Sequence, residues 1–121
     1  MSTRSNIIIK DNSCKVYLYR HSDGYPEGAG VDLKKFLEKH EYDKWSGSQL
    51  ATDLIRFHEP TDYGFKVEDY YPYELTNGIH GDIEYLYVIN LIDNTLKCYD
   101  VTGFDNPEED IIKSENLIDI P

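Results

Sequence analysis

The chain has 121 residues, one domain's worth, of which 40% are hydrophobic and 29% charged, the composition of a soluble globular protein. No apolar run approaches the roughly 18 residues of a membrane-spanning helix, and residues 1–6 lack the apolar core of a signal peptide, so a cytoplasmic protein is expected. Net charge is the outlier: 12 basic against 23 acidic residues give −11, which argues against non-specific binding to nucleic acid or anionic membrane, where Lys and Arg must displace counterions.

The first 21 residues predict a hairpin. Asn6-Ile7-Ile8-Ile9-Lys10 is a β-branched run, Asp11-Asn12-Ser13 supplies turn chemistry, and residues 15–21 alternate. Val16, Leu18 and Arg20 fall on one face of the second strand, Tyr17, Tyr19 and His21 on the other. Arg20, sharing a face with apolar residues, needs an acidic partner. Residues 22–30 hold three glycines and a proline and form a loop, read as a tight connector with positive φ at its glycines.

Leu33, Phe36, Leu37 and His40 then mark one face of an amphipathic helix. Ser46 and Gln49 have capping-box spacing before a second helix with a stripe of Leu50, Ala51, Leu54, Ile55 and His58, closed by Pro60. Residues 61–82 have no clear periodicity beyond an edge strand around Phe65 and Val67. A second hairpin follows, its first strand over residues 83–92 with Ile83, Tyr85, Tyr87, Ile89 and Leu91 on one face and Leu86 and Val88 on the other. Apolar residues on both faces make this a central strand. Asp93-Asn94 turns the chain into the return strand over residues 95–101. Residues 103–121 form an acidic tail, expected to dock through Ile111, Ile112, Leu117, Ile118 and Ile120, with a helix start at Asn106-Pro107. The expected architecture is a single α+β domain over residues 1–121: an antiparallel sheet of about four strands, built from two hairpins, with two helices on one face.

Cys14 and Cys98 form no CxxC pair and read as small core residues rather than nucleophiles. A doublet is more suggestive. His21-Ser22-Asp23 ends the first hairpin and His80-Gly81-Asp82 opens the second. In extended backbone each pair would present imidazole and carboxylate on one face, and with Glu84 the two pairs would supply ligands for a divalent metal or acid–base groups. The third position differs from the His-x-Thr/Ser of two-histidine phosphoesterases. A third constellation is Gly24, Tyr25, Gly28 and Gly30 between strand and helix, where a small nucleotide would sit with Arg4 or Arg20 on its phosphate, although Asp23 and Glu27 would repel it. Finally, Tyr63, Phe65, Tyr70, Tyr71 and Tyr73 interleave with Glu68, Asp69 and Glu74. Tyrosines in a long loop make low-entropy contact surfaces, and the carboxylates direct them to a basic partner.

Three strings together resemble a family of small proteins of bacteriophages and prophage-like elements: Ser2-Thr3-Arg4-Ser5-Asn6-Ile7, then Tyr19-Arg20-His21-Ser22-Asp23-Gly24-Tyr25-Pro26-Glu27-Gly28-Ala29-Gly30, and Gly78-Ile79-His80-Gly81-Asp82-Ile83-Glu84-Tyr85. Ser22 stands where that family has an aromatic residue and Ala29 where it has valine. The resemblance implies a phage-type accessory protein acting in a bacterial cytoplasm and carries over no catalytic role. The leading expectation is a non-enzymatic protein, without a cofactor, that binds and inhibits a host factor such as a CRISPR-type defence nuclease through its acidic, tyrosine-rich surface. Homo-oligomerisation is left open. The alternatives are a metal-dependent phosphodiesterase or nucleotide-processing enzyme using His21, Asp23, His80, Asp82 and Glu84, and a nucleotide sponge.

Overall fold

Six strands form one mixed sheet in the computed structural model, which describes residues 3–39, 46–56, 72–113 and 116–121. In chain order they are β1 (Ser5–Lys10), β2 (Lys15–Arg20), β3 (Glu74–Thr76), β4 (Tyr85–Asn90), β5 (Thr95–Asp100) and β6 (Leu117–Ile118), and across the sheet they run β3-β2-β1-β4-β5-β6. A π-helical turn (Pro26–Gly30) leads into α1 (Val31–Glu38), followed by α2 (Gly47–Arg56) and, late in the chain, α3 (Pro107–Lys113).

The four-stranded antiparallel sheet expected from the sequence is therefore wrong, although the α+β class holds. The two hairpins do form, but they join through β1 and β4, which run parallel with Ser5 opposite Tyr85 and Lys10 opposite Asn90. The reason lies in β1. Ile7, Ile8 and Ile9 are all buried, so both faces of this strand need cover, as do both faces of β4. Each strand already has a hairpin partner on one edge, and pairing their free edges puts the two most apolar strands at the centre. The long connection through α1 and α2 makes the parallel direction possible. β3 and β6 extend the edges. The edge strand expected around Phe65 and Val67, together with His40, His58 and Pro60, lies outside the described residues.

One face of the sheet is closed by α1 and α2. Ile7, Ile9, Leu18, Tyr87, Ile89 and Cys98 meet Leu33, Phe36, Leu50 and Leu54 there, all with no exposed surface. The predicted capping box forms: Gln49 N–H donates to Ser46 Oγ at 3.2 Å and Ser46 N–H to Gln49 Oε1 at 3.4 Å. Asp11 ties the first hairpin to the same helix. Its carboxylate accepts the N–H groups of Ser13 (2.7 Å), Cys14 (2.8 Å) and, from the start of α2, Gly47 (2.6 Å). These three bonds pull its pKa down to about 2.

The other face carries Ile8, Tyr19 and Leu86 and is covered by Ile83, Val101, Phe104 and Ile111. Ile83 was expected on the face of Tyr87, but it precedes β4 and lies outside the strand, where strand alternation does not apply. Here α3 is held mainly by Glu108, which accepts from Tyr17 Oη at 2.7 and 3.0 Å and pairs with Lys15 Nζ at 2.9 Å. The last residues return to the first face. Ile118 and Ile120 pack against its core, and Lys34 Nζ donates to the carbonyls of Ile120 (3.4 Å) and Pro121 (3.1 Å).

Candidate functional site

One end of the sheet gathers most of the residues that the sequence marks as chemically interesting. Ser5 opens β1, Arg20 closes β2, Tyr85 opens β4 and Asp100 closes β5, and the registers set all four at the same end. The segment that carries His80 is fastened there by Asn6, a buried amide at the head of the isoleucine run over residues 7–9. Asn6 Oδ1 accepts the His80 backbone N–H at 2.8 Å while its Nδ2 donates to the Leu18 carbonyl at 2.8 Å. Any apolar replacement of Asn6 would remove both bonds.

Tyr19 is the centre of the cluster. Its ring stacks on His80 with centroids 3.9 Å apart and an interplanar angle of 15°, and meets His21 edge-on at 4.6 Å and 85°. Its hydroxyl donates to both Asp82 oxygens, at 2.9 and 3.1 Å. Burial and the Asp82 carboxylate push the phenol pKa up to about 12. Arg4 Nε lies 3.3 Å from Asp82 Oδ2, His21 Nε2 lies 3.1 Å from Glu74 Oε1, and His80 Nε2 lies 3.0 Å from Thr76 Oγ1. The side chains of His21, Glu74 and Asp82 are half exposed or more.

The expected His-x-Asp geometry is not what brings these groups together. Asp23 has φ +54°, outside the extended region, and accepts from Tyr25 Oη at 3.3 Å. Gly81 and Asp82 lie in a turn. The rule that i and i+2 share a face fails for both pairs, yet His21, His80 and Asp82 still meet, around Tyr19. Glu84 is exposed beside them, its backbone N–H on the Arg4 carbonyl at 2.9 Å. Among the described residues, no group of three or more His, Cys, Asp or Glu side chains is placed to hold a metal ion.

Arg20 has the acidic partner its position required. It is 5% exposed, and its Nη1 donates to Asp32 Oδ2 at 2.7 Å and to Tyr73 Oη at 2.8 Å while its Nε donates to the Ser22 carbonyl at 2.7 Å. Burial opposes its charge, but Tyr73 and Asp32 outweigh that and raise its pKa. The loop of residues 24–30 is also committed internally. The amides of Gly24, Gly28 and Ala29 donate to the carbonyls of Thr3, Tyr25 and Asp23. The loop glycines do not have the positive φ expected of them. Close approach explains two: a Cβ on Gly24 would lie 2.8 Å from Ser5 Oγ, and one on Gly28 would collide with the Asp23 carbonyl. Tyr25 is partly exposed at the loop surface and Gly30 packs under Ile120.

Of the aromatic–acidic segment, Tyr63, Phe65, Glu68, Asp69, Tyr70 and Tyr71 lie outside the described residues. Tyr73 is buried beneath Arg20 and belongs to the core, whereas Glu74 opens β3 and is exposed. The cysteines divide. Cys98 is buried and its thiol pushed up to about 11, chiefly by burial, while Cys14 is exposed, contrary to expectation, and its thiol is raised by desolvation and by Asp11. Neither is an activated nucleophile.

No protein-family model, curated protein or solved structure matches this chain. The functional argument therefore rests on its own residues. Tyr85 adds to it, its phenol raised by burial and by the fields of Asp100, Glu84 and Glu27. The same end of the sheet thus carries Asp23, Glu27, Glu74, Asp82, Glu84 and Asp100, with Arg4 among them. Tyr19 and Asn6 were the residues not singled out beforehand. Their signals were present: Tyr19 shares a strand face with His21, and Asn6 is a polar residue at the head of an isoleucine run. No helix among the described residues is long and apolar enough to cross a membrane.

Proposed function

We propose that the chain is a non-enzymatic binding protein that captures a basic surface on a host factor in a bacterial cytoplasm. The reading rests on one observation: six carboxylates collect at one end of the sheet, four of them exposed (Glu27, Glu74, Asp82 and Glu84), and His21 is exposed at the same end. Such a surface presents negative charge in fixed positions, because Asp82 is held by Tyr19 and Arg4 and Glu74 by the short strand β3. Preset charges lose little side-chain freedom on binding and steer association with an oppositely charged surface. The groove in which a defence nuclease holds nucleic acid is a surface of that kind, and occupying it would block the nuclease. Tyr63, Phe65, Tyr70 and Tyr71, which precede β3 in the sequence, would add apolar contacts to the partner.

The test is capture of a partner from a lysate of a susceptible bacterium at 50 and 150 mM salt (about a 14 and 8 Å screening length), with added nucleic acid as competitor. A stoichiometric partner that nucleic acid displaces, and that the double variant Glu74→Lys, Glu84→Lys no longer retains, is the expected result. Capture that is indifferent to this double charge reversal would overturn the proposal, as would the absence of any stoichiometric partner. Both substituted side chains are exposed, so the variant keeps the fold.

A further inference from the structure

A groove of about 960 Å³ lies between α3 and the second face of the sheet, running from Lys10 and Lys15 at one end to His80 and Gly81, beside the carboxylate-rich end, at the other. That volume falls in the range of small-molecule sites. Its apolar walls include Val88, Tyr99, Ile79, Phe104 and Ile111, while Lys10 and Lys15 line it near the turn of the first hairpin. The helix above it does not fill it: Ile111 points to the sheet, and Ile112 is 83% exposed.

The lysine end of this groove already binds a carboxylate. Glu108 accepts from Lys15 Nζ at 2.9 Å and from Tyr17 Oη at 2.7 and 3.0 Å. Burial alone would raise the Glu108 pKa, but the bonds from Tyr17 and Lys15 outweigh it and the net shift is downward, with Lys10 acting in the same direction. Two donors on a single carboxylate, the Lys15 ammonium and the Tyr17 hydroxyl shared between its oxygens, make this an anion cradle, occupied from within the chain. A helix of seven residues has little stability of its own, so its hold on the sheet depends on these contacts and on a few apolar side chains.

We propose that this groove is a binding site for an amphipathic carboxylate of the fatty-acid type, whose acid group takes the place of Glu108 on Lys15 and Tyr17 and whose chain lies along Val88 and Tyr99. Glu108 is then an internal competitor, and α3 moves off the cradle when the ligand enters. Asp105 and Glu109 also line the groove and oppose an anion. Both residues are exposed to solvent, where salt screens their charge, whereas the contact of Glu108 with Tyr17 is partly buried.

The probe is dodecanoate below its micelle-forming concentration, with dodecanol as the uncharged control, measured by calorimetric titration of the full chain. Glu108→Ala removes the competitor and is expected to tighten dodecanoate binding by about tenfold or more, the size of a lost charge-assisted contact. Glu108→Gln, which keeps the side chain's volume and protects against a folding failure, is expected to shift affinity in the same direction by less. Adding Lys15→Ala or Tyr17→Phe to either variant is expected to reverse the gain for dodecanoate and to leave dodecanol unchanged. Equal affinity of the native chain and both Glu108 variants would overturn the proposal. So would dodecanol binding as tightly as dodecanoate, or no saturable binding in any variant.

Discussion

On one face of the sheet, α1 and α2 lay Leu33, Phe36, Leu50 and Leu54 onto Ile7, Ile9, Leu18 and Ile89, with no surface left exposed on any of these side chains. On the other face, two tyrosines of a single strand, Tyr17 and Tyr19, each donate to both oxygens of a carboxylate, Glu108 on α3 and Asp82 on the loop before β4. The first face is closed by area and shape, the second by a few directional bonds around a smaller apolar cluster. Hydrophobic contact is distributed and tolerates small shifts; a hydrogen bond to a carboxylate is local and can be exchanged for another. The helix-covered face therefore sets the stability of the domain, and the tyrosine face is where groups remain available for recognition.

The sharpest way to break this comparison is to remove area from the first face. Phe36→Ala is expected to cost about 4 kcal/mol in urea unfolding, as for other fully buried aromatic residues, with the dependence on denaturant unchanged. A loss below that of the tyrosine variants described next would show that the two faces are not different in kind. Removing Asp32 tests Arg20, a charged side chain buried at the edge of the first face. Asp32→Ala leaves the buried Arg20 guanidinium with Tyr73 and a carbonyl but, among the described residues, without its carboxylate partner, and about 3 kcal/mol is expected to be lost.

How much of this was legible beforehand depends on the range of the interaction. Ser46 with Gln49, the stripe of Leu50, Ala51 and Leu54, and the turn at Asp11 are local in the chain, and their spacing alone identifies them. The pairing of β1 with β4 is not local. It was implied by Ile7, Ile8 and Ile9, which lack alternation and so demand a strand covered on both faces, but choosing the partner edge requires comparing all strands at once. The site divides the same way. His21, His80 and Asp82 stand out as residue types, whereas their meeting point, Tyr19, and the amide that fastens the loop, Asn6, depend on contacts 63 and 74 residues apart in sequence. The glycines of the loop were legible as glycines but not in their reason, because close approach to Ser5 and to the Asp23 carbonyl has no sequence signature.

On the tyrosine face, Tyr17→Phe and Tyr19→Phe each delete a bond to a carboxylate and keep the ring. Each is expected to cost about 1.5 kcal/mol, measured by the same unfolding assay. Tyr17→Phe should loosen α3 and Tyr19→Phe the loop carrying His80, a difference that amide hydrogen exchange resolves segment by segment. In the native chain, absorbance titration should find both phenols ionising near about 12, with burial and the neighbouring carboxylates as the cause. Because the folded pKa lies above the unfolded one, this contribution is fully present below about pH 10 and is lost as pH rises toward 12.

Asp11 provides the smallest and most selective test, since it acts at the edge of the first face through bonds of the kind that dominate the second. Its carboxylate joins the turn of the first hairpin to the N-terminus of α2 through the Gly47 N–H. With a folded pKa of about 2 against an ordinary value of 3.8, its contribution to stability is complete above pH 3.8 and is lost as pH falls toward 2. Asp11→Asn removes the titrating charge and is expected to flatten that part of the stability–pH profile while lowering stability at pH 7. Helix α2 should respond first, because Gly47 loses its carboxylate partner, whereas the bonds of Tyr19 to Asp82 are untouched. If hydrogen exchange at pH 7 instead showed the Asn variant loosening the His80 loop as much as α2, the two faces would be coupled through β1 and β2, and the division of labour between them would fail.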